Sequence, residues 1–373
     1  MNTILRNEQN RNKPYLDLIR IVAIFFVIYN HTPGFYFLPY GDCGNAGYWG
    51  LLILNQVVKM AVPLFLMVTG ALLLHKEEDI KSLLNRRVMR FAIAIIVICM
   101  IQYTFHLLWT DNNGKLHVFF TQLLNGMGGC QKFHANWFLY AYTGILLMLP
   151  FLRAIAKNLP DKFFLYLLGI QIIFCCVIPL VWMRITGDYV GYSAFVSWLP
   201  FHPQGKFHPY SAGYVAFYVL MGYYLEHRVS WTAWQQNKSK YVLTAIACLV
   251  LGAVCMWDAD YCQGKKILHQ SVIYLTAFLP IPCAVAYMIM KSTCYDRVFH
   301  PLVGKVIASL GGAVFTVMCI ENLFRVKWEG IYSDLLPEIN RVPAAIIFTA
   351  AIWGAAILVG LIIKRIPFIN RIF

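Results

Sequence analysis

Charge is scarce in this sequence: only 13% of its 373 residues are Asp, Glu, Lys or Arg, where a soluble globular chain carries about a quarter. With 60% of the residues apolar, no tract is polar for long enough to form a soluble domain, a linker or a low-complexity arm. Acidic residues are the scarcest, 17 against 31 basic ones, for a formal charge of +14. In a soluble protein that imbalance would suggest a nucleic-acid partner. Here the basic residues stand in short clusters between long apolar runs, which is a membrane pattern, and no nucleic acid is expected. Any cysteine framework is also missing. The eleven cysteines lie mostly in apolar stretches such as Phe174-Cys175-Cys176-Val177 and show no CxxC spacing, so they read as small hydrophobes rather than as a disulfide scaffold or metal knuckle. No internal repeat is visible.

Apolar runs of bilayer length are abundant. A hydrocarbon core takes about 20 helical residues, and ten stretches supply them: roughly 15–36, 50–74, 88–109, 137–156, 163–183, 210–226, 240–257, 271–290, 306–324 and 343–363. The expected fold is all-α, a polytopic integral membrane protein with about ten transmembrane helices in a single membrane domain over residues 1–373. The first stretch contains Asp17 and Arg20 and lacks a small-residue cleavage site, so it is expected to remain as a helix and not to leave as a signal peptide. Ten spans put both termini on one side. The N-terminal tail and the loops on that side hold 20 Lys and Arg residues, the opposite loops hold nine, and Arg20 and Lys59 lie within spans. By the positive-inside bias both termini are expected in the cytoplasm. The outer loops at 110–136, 184–209, 258–270 and 325–342 are longer and rich in aromatic, Gly, Pro and Asn residues, as a platform for an external ligand would be.

Ionisable groups at membrane depth are expensive and mark function by default. Arg20 and His31 are eleven residues apart, three helical turns plus about 20°, with a rise of roughly 16 Å, so they share one face of the first span. Asp17 is spaced to hold the Arg20 guanidinium as an (i, i+3) pair. Counted inward or outward along their spans, Glu321, Lys59 and His31 fall at one level. An imidazole to take a proton, a carboxylate to orient it and an ammonium to steady developing negative charge make a catalytic set. For Glu321 the plainer role is a pair with Arg325 one turn on, and for Lys59 a snorkelling surface contact. At the start of the third span Arg87 and Arg90 share one side of the helix. With Arg20 they would form a cytosolic receptor for a polyanion, because the guanidinium fork grips phosphate at two points.

Leu16-Asp17-Leu18-Ile19-Arg20 with His31, Ala61-Val62-Pro63-Leu64-Phe65-Leu66-Met67-Val68-Thr69-Gly70, Arg87-x-x-Arg90, Trp137-Phe138-Leu139-Tyr140 and Phe315-Thr316-Val317-Met318-Cys319-Ile320-Glu321 occur in that order. This ordered set resembles the membrane acyltransferase 3 family. It departs from the common pattern at Val68-Thr69-Gly70, where Ser-Gly is usual, and at Glu321-Asn322, where many members have His-Pro. The resemblance implies an enzyme of a bacterial cytoplasmic membrane that transfers an acyl group, usually acetyl from acetyl-CoA, to a hydroxyl of a glycan, lipid-linked sugar or related envelope molecule. His31 would match the catalytic histidine, Arg20 its partner on the same helix, and Arg87 and Arg90 the arginine pair.

Residues and resemblance combine in one expectation. Coenzyme A phosphates meet Arg87, Arg90 and Arg20; the donor's arm lies along the Arg20–His31 stripe; and His31, with Glu321 and Lys59, activates an acceptor hydroxyl that enters from outside, either directly or through an acyl-enzyme. Asn136 and Trp137 before the fourth helix are the candidate acceptor contacts, Trp137 by stacking on a sugar ring. His134 lies two residues upstream of Asn136; His202 and His208, each followed by proline, lack a nearby carboxylate, and no metal is expected. Membrane lipid is the remaining partner; a homo-oligomer is compatible with everything above. The rival reading is a transporter or flippase that uses the same buried groups as a relay. The lack of repeat symmetry and the placing of the arginines at one mouth stand against it.

Overall fold

The computed structural model describes residues 13–32, 46–109, 119–120, 137–173, 177–178, 181, 185, 212–257, 278–295, 301–335 and 341–367. Among the described residues there is no strand. The helices are α1 (Pro14–Asn30), α2 (Ala46–Lys59), α3 (Ala61–Leu73), α4 (Met89–Trp109), α5 (Trp137–Asn158), α6 (Asp161–Ile172), α7 (Ala212–His227), α8 (Trp231–Trp257), α9 (Pro280–Tyr295), α10 (Pro301–Lys327), α11 (Glu329–Leu335) and α12 (Arg341–Ile363). Six helical stretches are long and apolar enough to cross a membrane: Tyr48–Leu73, Ile80–Phe105, Phe138–Asn158, Trp231–Cys255, Leu302–Lys327 and Val342–Ile363. The expected spans at 15–36, 163–183, 210–226 and 271–290 coincide with α1, α6, α7 and α9, which run for 17, 12, 16 and 16 residues.

Local sequence explains where the helices depart from the expected stretches. The single span expected over 50–74 is broken at Met60. Pro63 has no amide to give the Lys59 carbonyl, and its ring crowds that carbonyl, so the helix stops and restarts. The first helix ends at Asn30 rather than running to residue 36, and His31 forms its C-cap. Thr32 precedes Pro33, and a residue before proline is pushed out of the helical region. The chain into α4 is helical from Ile80, but Leu84–Val88 forms a wider π-helical turn that re-aims Arg86 and Arg87 relative to the rest of the helix. In the expected outer loop 325–342, α11 forms.

α1 is the centre of the bundle, packed against α2, α3, α9, α10 and α12. The α10–α12 and α3–α7 contacts are the most extensive in the structure. Between helices in lipid there is no hydrophobic drive, so close approach has to come from small residues. A Cβ at Gly70 would fall on the Val219 carbonyl, and one at Gly222 on the Met67 backbone. The two glycines let α3 and α7 touch backbone to backbone.

One end of the bundle is polar and tightly bonded. Buried Glu226 at the end of α7 accepts hydrogen bonds from the Lys13 ammonium (2.6 Å) and the Tyr15 hydroxyl (2.6 Å) on Oε1, and from the Tyr287 hydroxyl (3.0 Å) on Oε2, where Lys291 also pairs at 3.1 Å. Arg228 caps the end of α5 by donating to the carbonyls of Ala156 (2.8 Å) and Leu159 (2.6 Å). This basic end collects the start of α1, the ends of α3, α5, α7 and α9, and the entry to α4.

Replacing Gly70 or Gly222 by Ala is expected to cost about 1–3 kcal/mol or more, because backbone rather than a flexible side chain blocks the new methyl. Gly144, with nothing within 4 Å of its would-be Cβ, should accept Ala without loss. Thermal unfolding of the three detergent-solubilised variants checks both statements; equal midpoints would refute the close-approach argument.

Candidate active site

The C-terminal turn of α1 is fixed by three neighbours. Asn30 Nδ2 donates to the Val58 carbonyl of α2 at 3.2 Å, Thr32 Oγ1 lies 3.2 Å from Thr349 Oγ1 of α12, and His31 Nδ1 lies 2.8 Å from Glu321 Oε1 of α10. The Glu321 side chain is 1% exposed and that of His31 20%, so the carboxylate is sealed while the imidazole reaches open space. A carboxylate accepts, so with Glu321 ionised the shared proton sits on Nδ1, and in the neutral imidazole that tautomer leaves the Nε2 lone pair free. An imidazole held in this tautomer by a carboxylate is built to receive a proton at Nε2.

The Asn30–Val58 bond brings the end of α2, and with it half-buried Lys59, to the end of α1 that carries His31. Arg325, the plainer partner for Glu321, instead donates from Nε to Asn322 Oδ1 at 3.2 Å.

Towards the basic end, Arg20 donates from Nη1 to Asp17 Oδ1 at 2.9 Å, the pair that the spacing implied. Asp17 abuts Gly311 of α10, where a side chain would collide with it. Arg87 donates from Nε to both oxygens of Glu78 (3.1 and 2.9 Å), and Arg153 Nη2 joins Glu78 at 3.2 Å while its Nε donates to the Leu73 carbonyl at 3.0 Å. Arg90 is exposed, one turn further along. Asn136, His134, His202 and His208 lie outside the described residues; Trp137 opens α5.

An apolar seam links these two levels. Phe65, Phe91 and Met318 are half-buried and pack against both of the hydrophobic clusters into which the core divides. Phe91 stacks on Tyr142 (ring centroids 4.7 Å apart) and leans on Phe315 (4.9 Å). Along α10, Gly311 meets Asp17, Phe315 meets Phe91, and Glu321 meets His31. The contacts fall in the same order along both helices, Asp17 then His31 on α1 and Gly311 then Glu321 on α10, so the two run parallel. Among the described residues no group of three or more His, Cys, Asp and Glu side chains is arranged to hold a metal.

The sequence argument passed over Glu78, Glu226, Phe91 and Tyr142. Glu226 and Glu78 had a signal: each is an acid at a basic end of an apolar stretch, where cations outnumber it. The aromatic rings had none, since the chain is 16% aromatic and the rings meet across different helices.

Glu78 lies outside the spans. Burial, the largest single influence, pushes its pKa up, but the bonds and charges of Arg87 and Arg153 together outweigh it and hold it below the ordinary 4.5. A depressed carboxylate contributes stability that is present above the unfolded pKa and fades as pH falls through the folded one. Glu78→Gln is therefore expected to unfold at lower temperature than the parent at pH 7, with the gap closing as pH drops below about 4.5. A gap that stays constant from pH 7 to pH 3 would remove Glu78 as the anchor of Arg87.

A family model described as an acyltransferase domain matches residues 13–363 of the chain. No curated protein and no solved structure matches it with significance. The matched stretch runs from Lys13, bonded to Glu226, to the last residue of α12, and takes in the His31–Glu321 pair, the seam and the basic end. On that match the chain belongs to the acyltransferase 3 family and is a multi-pass membrane acyltransferase.

Proposed function

We propose that the protein moves an acetyl group from cytosolic acetyl-CoA to a hydroxyl of a cell-envelope glycan or lipid-linked sugar, in the cytoplasmic membrane of a bacterium with both termini inside. The observation that carries the reading is the 2.8 Å bond between His31 Nδ1 and buried Glu321, which leaves Nε2 as a base at the head of an apolar seam. Donor phosphates meet Arg20, Arg87 and Arg90 at the basic end. Both bonds from Arg87 to Glu78 use Nε, so its terminal nitrogens remain for an anion. The donor's arm follows the seam past Phe315 and Phe91.

His31 Nε2 takes the acceptor's hydroxyl proton as its oxygen bonds to the thioester carbon. The C–S bond then breaks, and the departing sulfur takes that proton from the imidazolium. Glu321 stabilises the imidazolium, Lys59 adds positive charge at the same level, and Asn136 and Trp137 meet the acceptor. Proximity supplies much of the acceleration, because both reactants are held in line on the two sides of one base.

His31→Ala is expected to abolish acetyl-CoA turnover with expression unchanged. Glu321→Gln should lower kcat on the order of 10³–10⁴-fold, since an amide can donate to Nδ1 and force the wrong tautomer. Mass spectrometry of envelope glycans from cells with and without the protein should show the loss of one acetyl increment per modified sugar. A succinyl increment would reassign the donor, and His31→Ala with parental turnover would reject the mechanism.

A further inference from the structure

In the scheme above one buried group has no task. The tetrahedral intermediate of acyl transfer places a full negative charge on the former carbonyl oxygen. Among apolar walls that charge needs an N–H or O–H already aimed at it. Asn322 follows Glu321 on α10 and is 1% exposed. Its Oδ1 accepts from Arg325 Nε at 3.2 Å, which fixes the sense of the amide. Its buried Nδ2 has no hydrogen-bond partner among the described residues. Buried donors are nearly always satisfied in a native protein, so an unsatisfied one beside a catalytic base marks a place for a ligand.

Helix phase places the group. Gly311 and Asn322 are eleven residues apart, the same offset of three turns plus about 20° that aligns Arg20 with His31. α1 and α10 run parallel, and Gly311 faces Asp17 of α1. Asn322 therefore belongs to the α10 stripe of Gly311, Phe315 and Met318 that looks into the seam, at the end where Glu321 holds His31.

We propose that Asn322 is a catalytic residue: its Nδ2 donates to the thioester carbonyl oxygen as that oxygen becomes anionic, with the Arg325 cation behind the amide polarising it. As the alcohol oxygen bonds to the carbonyl carbon and its proton passes to His31 Nε2, the carbonyl π pair moves onto the oxygen that Asn322 holds. When the C–S bond breaks, the pair returns and the proton goes to sulfur. This rests on the acyl-transfer reading given above, and on nothing about which sugar accepts.

Asn322→Asp separates the two roles open to the side chain. It keeps the volume and the oxygen that Arg325 binds, and exchanges the donor for an acceptor whose added charge faces the Arg325 guanidinium, while Asn322→Ala removes the donor without adding charge. With acetyl-CoA as the probe, in membranes carrying the native acceptor, kcat should fall about 10²–10³-fold, with KM for acetyl-CoA within twofold and the thermal midpoint at or above that of the parent. Asn322→Ala should show the same loss in kcat, and decides the matter if the Asp variant does not fold. Turnover within threefold of the parent in either folded variant overturns the proposal. So does a joint loss of kcat, KM and midpoint that Arg325→Ala reproduces, which would make the pair structural. Parental turnover in His31→Ala would instead remove the underlying mechanism, and the proposal with it.

Discussion

A carboxylate sealed in a membrane bundle is tolerable only if it is hydrogen-bonded, and here Glu321 is bonded to His31 Nδ1 at 2.8 Å. The bond crosses from α10 to α1, so it holds the end of the bundle's central helix. Two other polar contacts fix the same end of α1. Asn30 ties the α1 terminus to α2, and Thr32 ties it to α12. The imidazole also sits at a helix C-terminus, where the backbone dipole favours positive charge, which suits the proposed role of a base that becomes a cation.

The basic end solves the same electrostatic problem differently. Glu226 and Glu78 each gather several donors, and two cations contact each of them, so these carboxylates are saturated where Glu321 is not. Full satisfaction makes a rigid scaffold, and partial satisfaction leaves capacity for a ligand. The contrast separates the end of the molecule that holds shape from the end that carries the proposed site.

Much of this was legible in the sequence because helical period and membrane cost are strong constraints. The Arg20–His31 stripe, the Asp17–Arg20 pair and the common level of Glu321 and His31 all followed from spacing alone. The break at Met60 was written in Pro63 but hidden by an unbroken apolar run. The π-helical turn at Leu84–Val88 has no residue signature, and the α3–α7 contact at Gly70 and Gly222 depends on a neighbour more than a hundred residues away. The aromatic seam was illegible for the same reason: Phe65, Phe91, Tyr142 and Phe315 come from four helices, and nothing local distinguishes them from lipid-facing rings.

The clamps on α1 have a consequence for reach. One buried acid holds its first turn through Lys13 and Tyr15, and another holds its last residue through His31. Pinned at both extremities and wrapped by five other helices, it has little freedom to stretch, bend or slide, so the interval between its first turn and the imidazole is set by helical pitch alone. In the proposed scheme the helix acts as a gauge of fixed length, against which an arm entering from the basic end would be measured before its reactive carbon met the base.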